Sequence, residues 1–232
     1  MSHHTNVVRI KAVARALQEL NEQVVFIGGA VVSLYVDKPD RIDVRATDDV
    51  DVIIEIANRG QYMILQERLR AIGFREDAES DVICRWRIDG IVVDVMPTDA
   101  AILGFTNPWY QDGINNKITA DLDGTAINLL NIPYFLATKL EALFNREGGL
   151  DWRWSSDFED IIKLIRECDL ETIYNNIESE KLKAYLQNSF DRLMRDEGYF
   201  LEACMAHLVA PFYGEEDRNI ISQRIKRCLP GA

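Results

Sequence analysis

The spacing of apolar and polar residues divides the chain into a mixed first half and a helical second half. Near the N-terminus, apolar residues recur at helical intervals and predict an amphipathic helix through Val7, Ile10, Val13, Ala14, Leu17 and Leu20. The apolar run Val24–Ile27 predicts a buried strand that leads into Gly28-Gly29. Residues 30–35 then predict a short helix, which a polar turn at residues 37–40 should end.

Strand patterns dominate the next segment. Residues 50–56 predict a strand, and residues 61–72 predict a helix that Gly73 closes. The run "DVICRWRIDGIVVDVMP" predicts two strands joined at Asp89-Gly90, a dipeptide typical of tight hairpins. We expect a loop-rich stretch over residues 104–124, followed by a short strand near residues 126–130.

Helical patterns replace strand patterns after that point. Residues 133–144 predict a helix with Pro133 in its first turn. Ser156 and Glu159 have capping-box spacing ahead of a helix that should run to about Cys168, and the rest of the chain predicts further helices. The sequence therefore predicts an α+β fold, with a mixed-sheet core in residues 1–125 and a mainly helical region in residues 126–232 packed on it.

Composition narrows the classes of function. A formal net charge of −12 over 232 residues disfavours a broad cationic surface for duplex nucleic acid. No apolar run is long enough for a membrane span or a signal peptide, so we expect a cytoplasmic protein that does not bind a membrane. Four scattered cysteines indicate reduced structural thiols, and three histidines disfavour a zinc site or a Ser-His-Asp triad.

Three aspartates stand inside apolar strand patterns, where aspartate is unfavourable. In "DVDV", Asp49 and Asp51 should project from one face of their strand, with Val50 on the other face. Asp94, in "IVVDVMP", would join them if the two strands were neighbours. Converging carboxylates repel one another unless a cation neutralises them, and oxygen ligands select Mg²⁺ or Mn²⁺. Two such ions, about 3.5–4 Å apart, would suit a phosphoryl transfer.

The glycine pair suits the same chemistry. A strand-to-helix turn at Gly28-Gly29 would let backbone N–H groups approach phosphate oxygens, although a tight turn there needs glycine in any case. Ser33 could contact a phosphate or lie at the edge of the core.

The order of these features resembles the DNA polymerase β-like nucleotidyltransferase superfamily: a Gly-Gly turn, a strand with two aspartates and a later strand with one. "RATDDVDV" is similar to the form found in AbiEii-type and MenT-like nucleotidyltransferase toxins and their uncharacterised relatives. "YFLATKLEALFNR" and "SSDFEDIIKLI" resemble the helical region of that group. The resemblance covers roughly residues 24–168 and implies a mixed-sheet nucleotidyltransferase core with a C-terminal helical region.

The resemblance also implies roles for particular residues. Asp49, Asp51 and Asp94 would be catalytic and would bind the metal. Lys139 would reach the nucleotide phosphates as a point charge. The remaining implied site residues are Gly28, Gly29, Ser33, Arg45 and Thr47 for nucleotide binding, with Asp157 or Asp160 completing the site or orienting Lys139.

Several of these positions have a structural alternative. Arg45 and Thr47 could form a salt bridge and a strand cap in place of phosphate contacts. Arg85 and Arg87, beside Asp94, could neutralise the carboxylates or face substrate, and the first is favoured. Without the resemblance, Lys139 would be interpreted as a solvated surface lysine, and on either interpretation its removal should cost little stability.

The resemblance implies a metal-dependent nucleotidyltransferase that moves NMP from an NTP to an acceptor. A tRNA end, a protein side chain and a small molecule all suit this fold as acceptor, and a toxin with an antitoxin partner is one form that the family takes. The alternative is a catalytically inactive nucleotide-binding or interaction module with the same fold.

Overall fold

A computed structural model describes residues 2–20, 23–36, 44–56, 58–145 and 151–230. The chain divides into two compact units. The first unit holds residues 1–31 and 45–131, and the second holds residues 32–44 and 132–232. Among the described residues, no helix has the length and apolar character that crossing a membrane requires.

The first unit is built on a mixed sheet of seven strands in the order β3-β4-β5-β2-β1-β7-β6. Pairing is parallel between β2 and β5 and between β1 and β7, and antiparallel elsewhere. The strands are β1 Val24–Ile27, β2 Asp49–Ile54, β3 Arg75–Glu76, β4 Arg85–Ile88, β5 Ile91–Pro97, β6 Ile118–Leu122 and β7 Thr125–Leu129.

Four α-helices and two short 3₁₀ helices accompany these strands. The amphipathic opening helix α1 packs against β2, β5 and β7 and buries Ile10 and Val13 completely. The helices are α1 Ser2–Ala16, α2 Arg59–Ala71, α3 Ala100–Leu103 and α4 Tyr110–Asn115, with 3₁₀ helices at Gln18–Leu20 and Gly29–Tyr35. The second 3₁₀ helix belongs to the first unit up to Val31 and to the second unit from Val32.

The second unit is helical, and its core comes from the apolar faces of packed helices. Helix α5 packs on α6 and α8, and α10 packs on α6 and α9. Phe135, Phe158, Phe190 and Phe200 are fully buried in this unit. Its helices are α5 Ile132–Asn145, α6 Ser156–Glu167, α7 Leu170–Asn175, α8 Glu180–Met194, α9 Glu197–His207 and α10 Glu215–Arg227, with a 3₁₀ helix at Trp152–Trp154.

The α+β prediction is confirmed, including the mixed sheet and the C-terminal helices. Strand β1 has the predicted bounds, and the Asp89-Gly90 turn joins β4 to β5 with positive φ at both residues. The predicted helix at residues 30–35 is a 3₁₀ helix, a tighter form that a pattern of six residues cannot distinguish from an α-helix. The turn predicted at residues 37–40 lies outside the described residues.

Two local predictions are wrong. The stretch at residues 104–124 contains α4, which is too short for a clear helical period at six residues, and β6, whose residues are exposed or half-buried. The side chain that caps α6 belongs to Ser155, which accepts a hydrogen bond from the Phe158 amide at 3.2 Å, and Ser156 is the first helical residue. Adjacent serines make the capping position ambiguous by one residue.

Candidate active site

Parallel pairing of β2 with β5 brings the three strand aspartates together. Asp51 lies opposite Asp94 in the register, and Asp49 lies two residues earlier on the same strand. The intervening Val50 and the following Val52 are fully buried, so the two carboxylates of β2 share the opposite face. One carboxylate oxygen from each of Asp49, Asp51 and Asp94 lies within 4.8 Å of the others.

Arg85, on the neighbouring strand β4, contacts two of the three carboxylates. Its Nε donates to Asp94 Oδ1 at 2.8 Å, and its Nη2 donates to Asp94 Oδ2 at 2.7 Å and to Asp49 Oδ2 at 3.1 Å. The hydrogen bond to Asp94 and its negative charge raise the pKa of Arg85 above the usual value of a guanidinium. The cluster offers three carboxylates, a set of oxygen ligands that suits a divalent cation.

Arg87 has a different role from Arg85, although both lie on β4. Its Nε donates to Asp77 Oδ2 at 2.8 Å, its Nη2 forms an ion pair with the same oxygen at 2.8 Å, and its own side chain is exposed. Alternation along the strand places both arginines on the face opposite the buried Trp86, but Arg87 lies two residues farther along β4, where it pairs with Asp77. The prediction that the pair neutralises the cluster is therefore confirmed for Arg85 and wrong for Arg87.

The glycine turn lies directly against the carboxylates. Ile27 is paired with Asp51, so Gly28 follows at the same end of β1. Gly28 has φ of +77°, and a Cβ built there would lie 1.9 Å from Asp51 Oδ2. Only glycine fits this combination of left-handed backbone and close approach. A Cβ on Gly29 would lie 2.5 Å from Arg45 Nη2 and 3.1 Å from Thr47 Cγ2.

The segment before β2 is held by helix α1. Asn6 Nδ2 donates to the Arg45 carbonyl at 3.0 Å, the Thr47 amide donates to Asn6 Oδ1 at 3.3 Å, and Arg9 donates to the Thr47 carbonyl. Asn6 is fully buried, and Thr47 is buried too. Sequence reasoning missed Asn6, because an asparagine near the start of a helix carries no signal for a contact 39 residues away.

The second unit holds the other predicted site residues, each buried. Lys139 on α5 donates to Asp157 Oδ1 at 3.1 Å and forms an ion pair with Asp160 Oδ2 at 2.7 Å. Burial lowers the pKa of Lys139, but the charges of Asp160 and then Asp157 outweigh burial and leave that pKa raised. Ser33, in the 3₁₀ helix, is also buried, with 1% of its surface exposed.

These contacts bear on two expectations, the exposure of Lys139 and the choice between Asp157 and Asp160 as its partner. A solvated Lys139 is wrong, since only 8% of its surface is exposed. Asp157 and Asp160 lie one helical turn apart on α6, so both can contact the same ammonium, and the sequence alone did not choose between them.

Comparison with solved structures shows the fold. An antigenic nucleotidyltransferase-like protein from Paracoccidioides brasiliensis matches with a TM-score of 0.53 and 19% identity, over 89% of this chain and 94% of that one. The antibiotic-resistance factor ANT(2'')-Ia matches with a TM-score of 0.51 and 16% identity, over 86% of this chain and all of that one. No protein-family model matches the sequence, and no curated protein matches it. The chain thus has a nucleotidyltransferase-like fold.

Proposed function

We propose that the protein is a metal-dependent nucleotidyltransferase that moves NMP from an NTP to an acceptor and releases pyrophosphate. The observation that carries the proposal is the convergence of Asp49, Asp51 and Asp94 beside the Gly28 turn. A phosphate-binding backbone turn next to a carboxylate cluster is the arrangement that Mg²⁺-nucleotide chemistry requires. The nucleotidyltransferase-like fold of the two structural neighbours supports the same reaction class.

The carboxylates of Asp49, Asp51 and Asp94 would hold the metal in this proposal. They offer oxygen ligands only, which suits Mg²⁺ or Mn²⁺, and their excess negative charge favours a divalent ion. The metal would supply a Lewis acid that neutralises charge on the phosphates of the nucleotide.

The chain's own residues would bind the nucleotide and move the proton. Backbone N–H groups at Gly28 and Gly29 would meet the phosphates, and Arg45, which lies against Gly29, would add a positive charge. Thr47 and Ser33, which are both buried, keep their proposed role in nucleotide binding. The acceptor oxygen would form a bond to the α-phosphorus while the bond from that phosphorus to the β-phosphate bridging oxygen breaks, and pyrophosphate would leave with the electron pair. A carboxylate of the cluster would take the acceptor proton.

Lys139 keeps its proposed role as a phosphate-contacting cation. Its charge is secured by Asp157 and Asp160, so an approaching triphosphate would compete with these two carboxylates for the ammonium. Asp157 and Asp160 would orient Lys139 in this proposal.

The acceptor and the likeness to toxins remain predictions from the sequence. The acceptor would be a tRNA end, a protein side chain or a small molecule, and each is compatible with the fold. We also propose a likeness to AbiEii-type and MenT-like toxins, and with it an antitoxin partner. Both are predicted from "RATDDVDV" and the helical motifs of the sequence.

The direct test is release of pyrophosphate from each of the four NTPs in the presence of Mg²⁺ or Mn²⁺. Wild-type protein supplied with candidate acceptors should release pyrophosphate, and Asp51→Asn should reduce the rate at least about a thousandfold by removing a metal ligand. Asp48→Asn is the matched control, because Asp48 is the exposed neighbour and lies outside the cluster. Equal loss in both variants would argue against the assigned site.

The second candidate, an inactive nucleotide-binding module, gains support from Arg85. Its contacts with Asp49 and Asp94 give the carboxylates a partner in the protein itself, so the cluster can persist without a metal. Binding of Mg²⁺-NTP with no pyrophosphate release from any NTP, over hours and across the three acceptor classes, would favour this candidate.

A further inference from the structure

The contacts of Arg85 with its two aspartates are unequal. Asp94 is held by two hydrogen bonds of 2.7 and 2.8 Å, one to each carboxylate oxygen, whereas Asp49 receives one bond of 3.1 Å. The Asp94 side chain is 10% exposed and the Asp49 side chain is 35% exposed. A two-point, buried contact fixes a carboxylate far better than a single, more exposed one.

Backbone pairing secures this arrangement. Arg85 is directly opposite Asp94 in the antiparallel pair of β4 and β5, so the two side chains lie on the same face at the closest cross-strand position. Asp49 belongs to β2, on the other side of β5, and Arg85 reaches it across Asp94. The guanidinium therefore links three adjacent strands at the site.

We propose that Arg85 is a positioning residue that serves as a replaceable counter-cation for the metal site. In the metal-free protein it neutralises Asp49 and Asp94 and keeps the carboxylates together. On metal binding it gives up the weaker contact with Asp49 and keeps Asp94 in place through the two stronger bonds. The inference rests on the proposed function, because it assigns the cluster to a divalent cation.

This role makes Arg85 act on metal affinity and on catalysis in opposite directions. Its positive charge opposes the approach of a second cation, so its removal should strengthen metal binding. Its planar fork holds both oxygens of Asp94, so its removal should leave that carboxylate less well oriented for transfer. A residue with a purely structural role would have no reason to produce this combination.

Titration with Mn²⁺ alone, followed by calorimetry, tests the proposal without relying on turnover. Arg85→Gln should bind Mn²⁺ at least about tenfold more tightly than wild type, since a charge a few ångströms away is removed from a partly buried site. Its transfer rate should fall at least about tenfold under saturating metal. Its metal-free protein should also melt at a lower temperature, because Asp49 and Asp94 then lose the cation that they share.

Two further variants separate charge from geometry. Arg85→Lys keeps the charge but loses the fork, so Mn²⁺ affinity should stay within about threefold of wild type while transfer still falls. Arg87→Gln is the matched control on the same strand, and it should change neither quantity, since Arg87 contacts Asp77 outside the cluster.

The outcomes distinguish this inference from the proposed function. If wild type binds no Mn²⁺, the metal site itself is wrong and the inference falls with it. If wild type binds Mn²⁺ and Arg85→Gln binds it equally or more weakly, the inference alone is overturned. If Arg85→Gln does not fold, Arg85→Lys provides the test. Full transfer in Arg85→Lys would contradict a positioning role.

Discussion

The Asp51 carboxylate occupies the space that a side chain at Gly28 would need, since a Cβ there would lie 1.9 Å from Asp51 Oδ2. The pairing of Ile27 with Asp51 sets this approach, because it places the end of β1 beside the middle of the acidic strand. The turn that would meet phosphate and the carboxylate that would meet metal are therefore parts of one packed arrangement. A substitution at either residue should therefore displace the other.

Gly28→Ala should reduce transfer at least about a hundredfold, because the new methyl group displaces a proposed metal ligand. It should also lower the free energy of unfolding by about 1–3 kcal/mol, through the positive φ and the clash. Steady-state pyrophosphate release and urea denaturation measure the two effects.

Gly124→Ala provides the control for the backbone contribution. Gly124 has φ of +80°, close to that of Gly28, but an added Cβ meets nothing within 4 Å. This variant should lose stability through backbone strain alone and keep its transfer rate. Equal losses of transfer in both variants would show that the close approach to Asp51 is unimportant.

Divalent cations should stabilise the folded protein. Millimolar Mg²⁺ or Mn²⁺ with NTP should raise the melting temperature, because a ligand that binds only the native state adds about 2.7 kcal/mol at a hundred times its Kd. EDTA should remove the shift, as should Asp51→Asn, whereas Asp48→Asn should retain it. No shift with any of the four NTPs would contradict the metal-nucleotide site.

The cysteines should react slowly in the native state. Cys84, Cys168, Cys204 and Cys228 are all buried thiols that form no disulfide with one another. Burial raises the pKa of Cys84 to about 11, with a further contribution from the charge of Asp94, and raises that of Cys204 to about 12. A raised pKa favours the thiol, so only about one Cys84 in a thousand would be a thiolate at pH 8. Labelling with an alkylating reagent should therefore need hours natively and seconds in urea. Fast native labelling would contradict this burial.

Much of the acidic cluster could be predicted from the sequence, because strand periodicity alone decides which side chains share a face. Asp49 and Asp51 obey that rule directly, and a neighbouring strand for Asp94 was the simplest arrangement of the pattern. The contact between Arg85 and Asp49 was harder to predict, because it depends on the pairing of strands that are distant in sequence. Strand β6 escaped detection because its residues are mostly exposed, although its Asp123-Gly124 turn was a usable hairpin signal.

The burial of Lys139 escaped prediction for a different reason. An amphipathic pattern implies one buried face, but every residue from Tyr134 to Leu140 is buried in α5. Helices that are enclosed on all sides accept a charged residue only where a partner neutralises it. The partners, Asp157 and Asp160, lie on α6, and only the packing of the two helices reveals them.

This burial leads to the last prediction, on Lys139→Met. Removing the ammonium leaves two buried carboxylates without their shared cation, so the free energy of unfolding should fall by about 3–5 kcal/mol. Lys11→Met is the control, since the partner of Lys11 is Asp123, whose side chain is 86% exposed, and its urea midpoint should hardly change.

A triple variant, Lys139→Met with Asp157→Asn and Asp160→Asn, should recover much of the stability, because no buried charge then lacks a partner. Transfer measured on this stabilised triple variant tests Lys139, Asp157 and Asp160 as one group. A loss of a hundredfold or more would support a role of this group at the phosphates, whereas near-normal transfer would confine the group to holding α5 against α6.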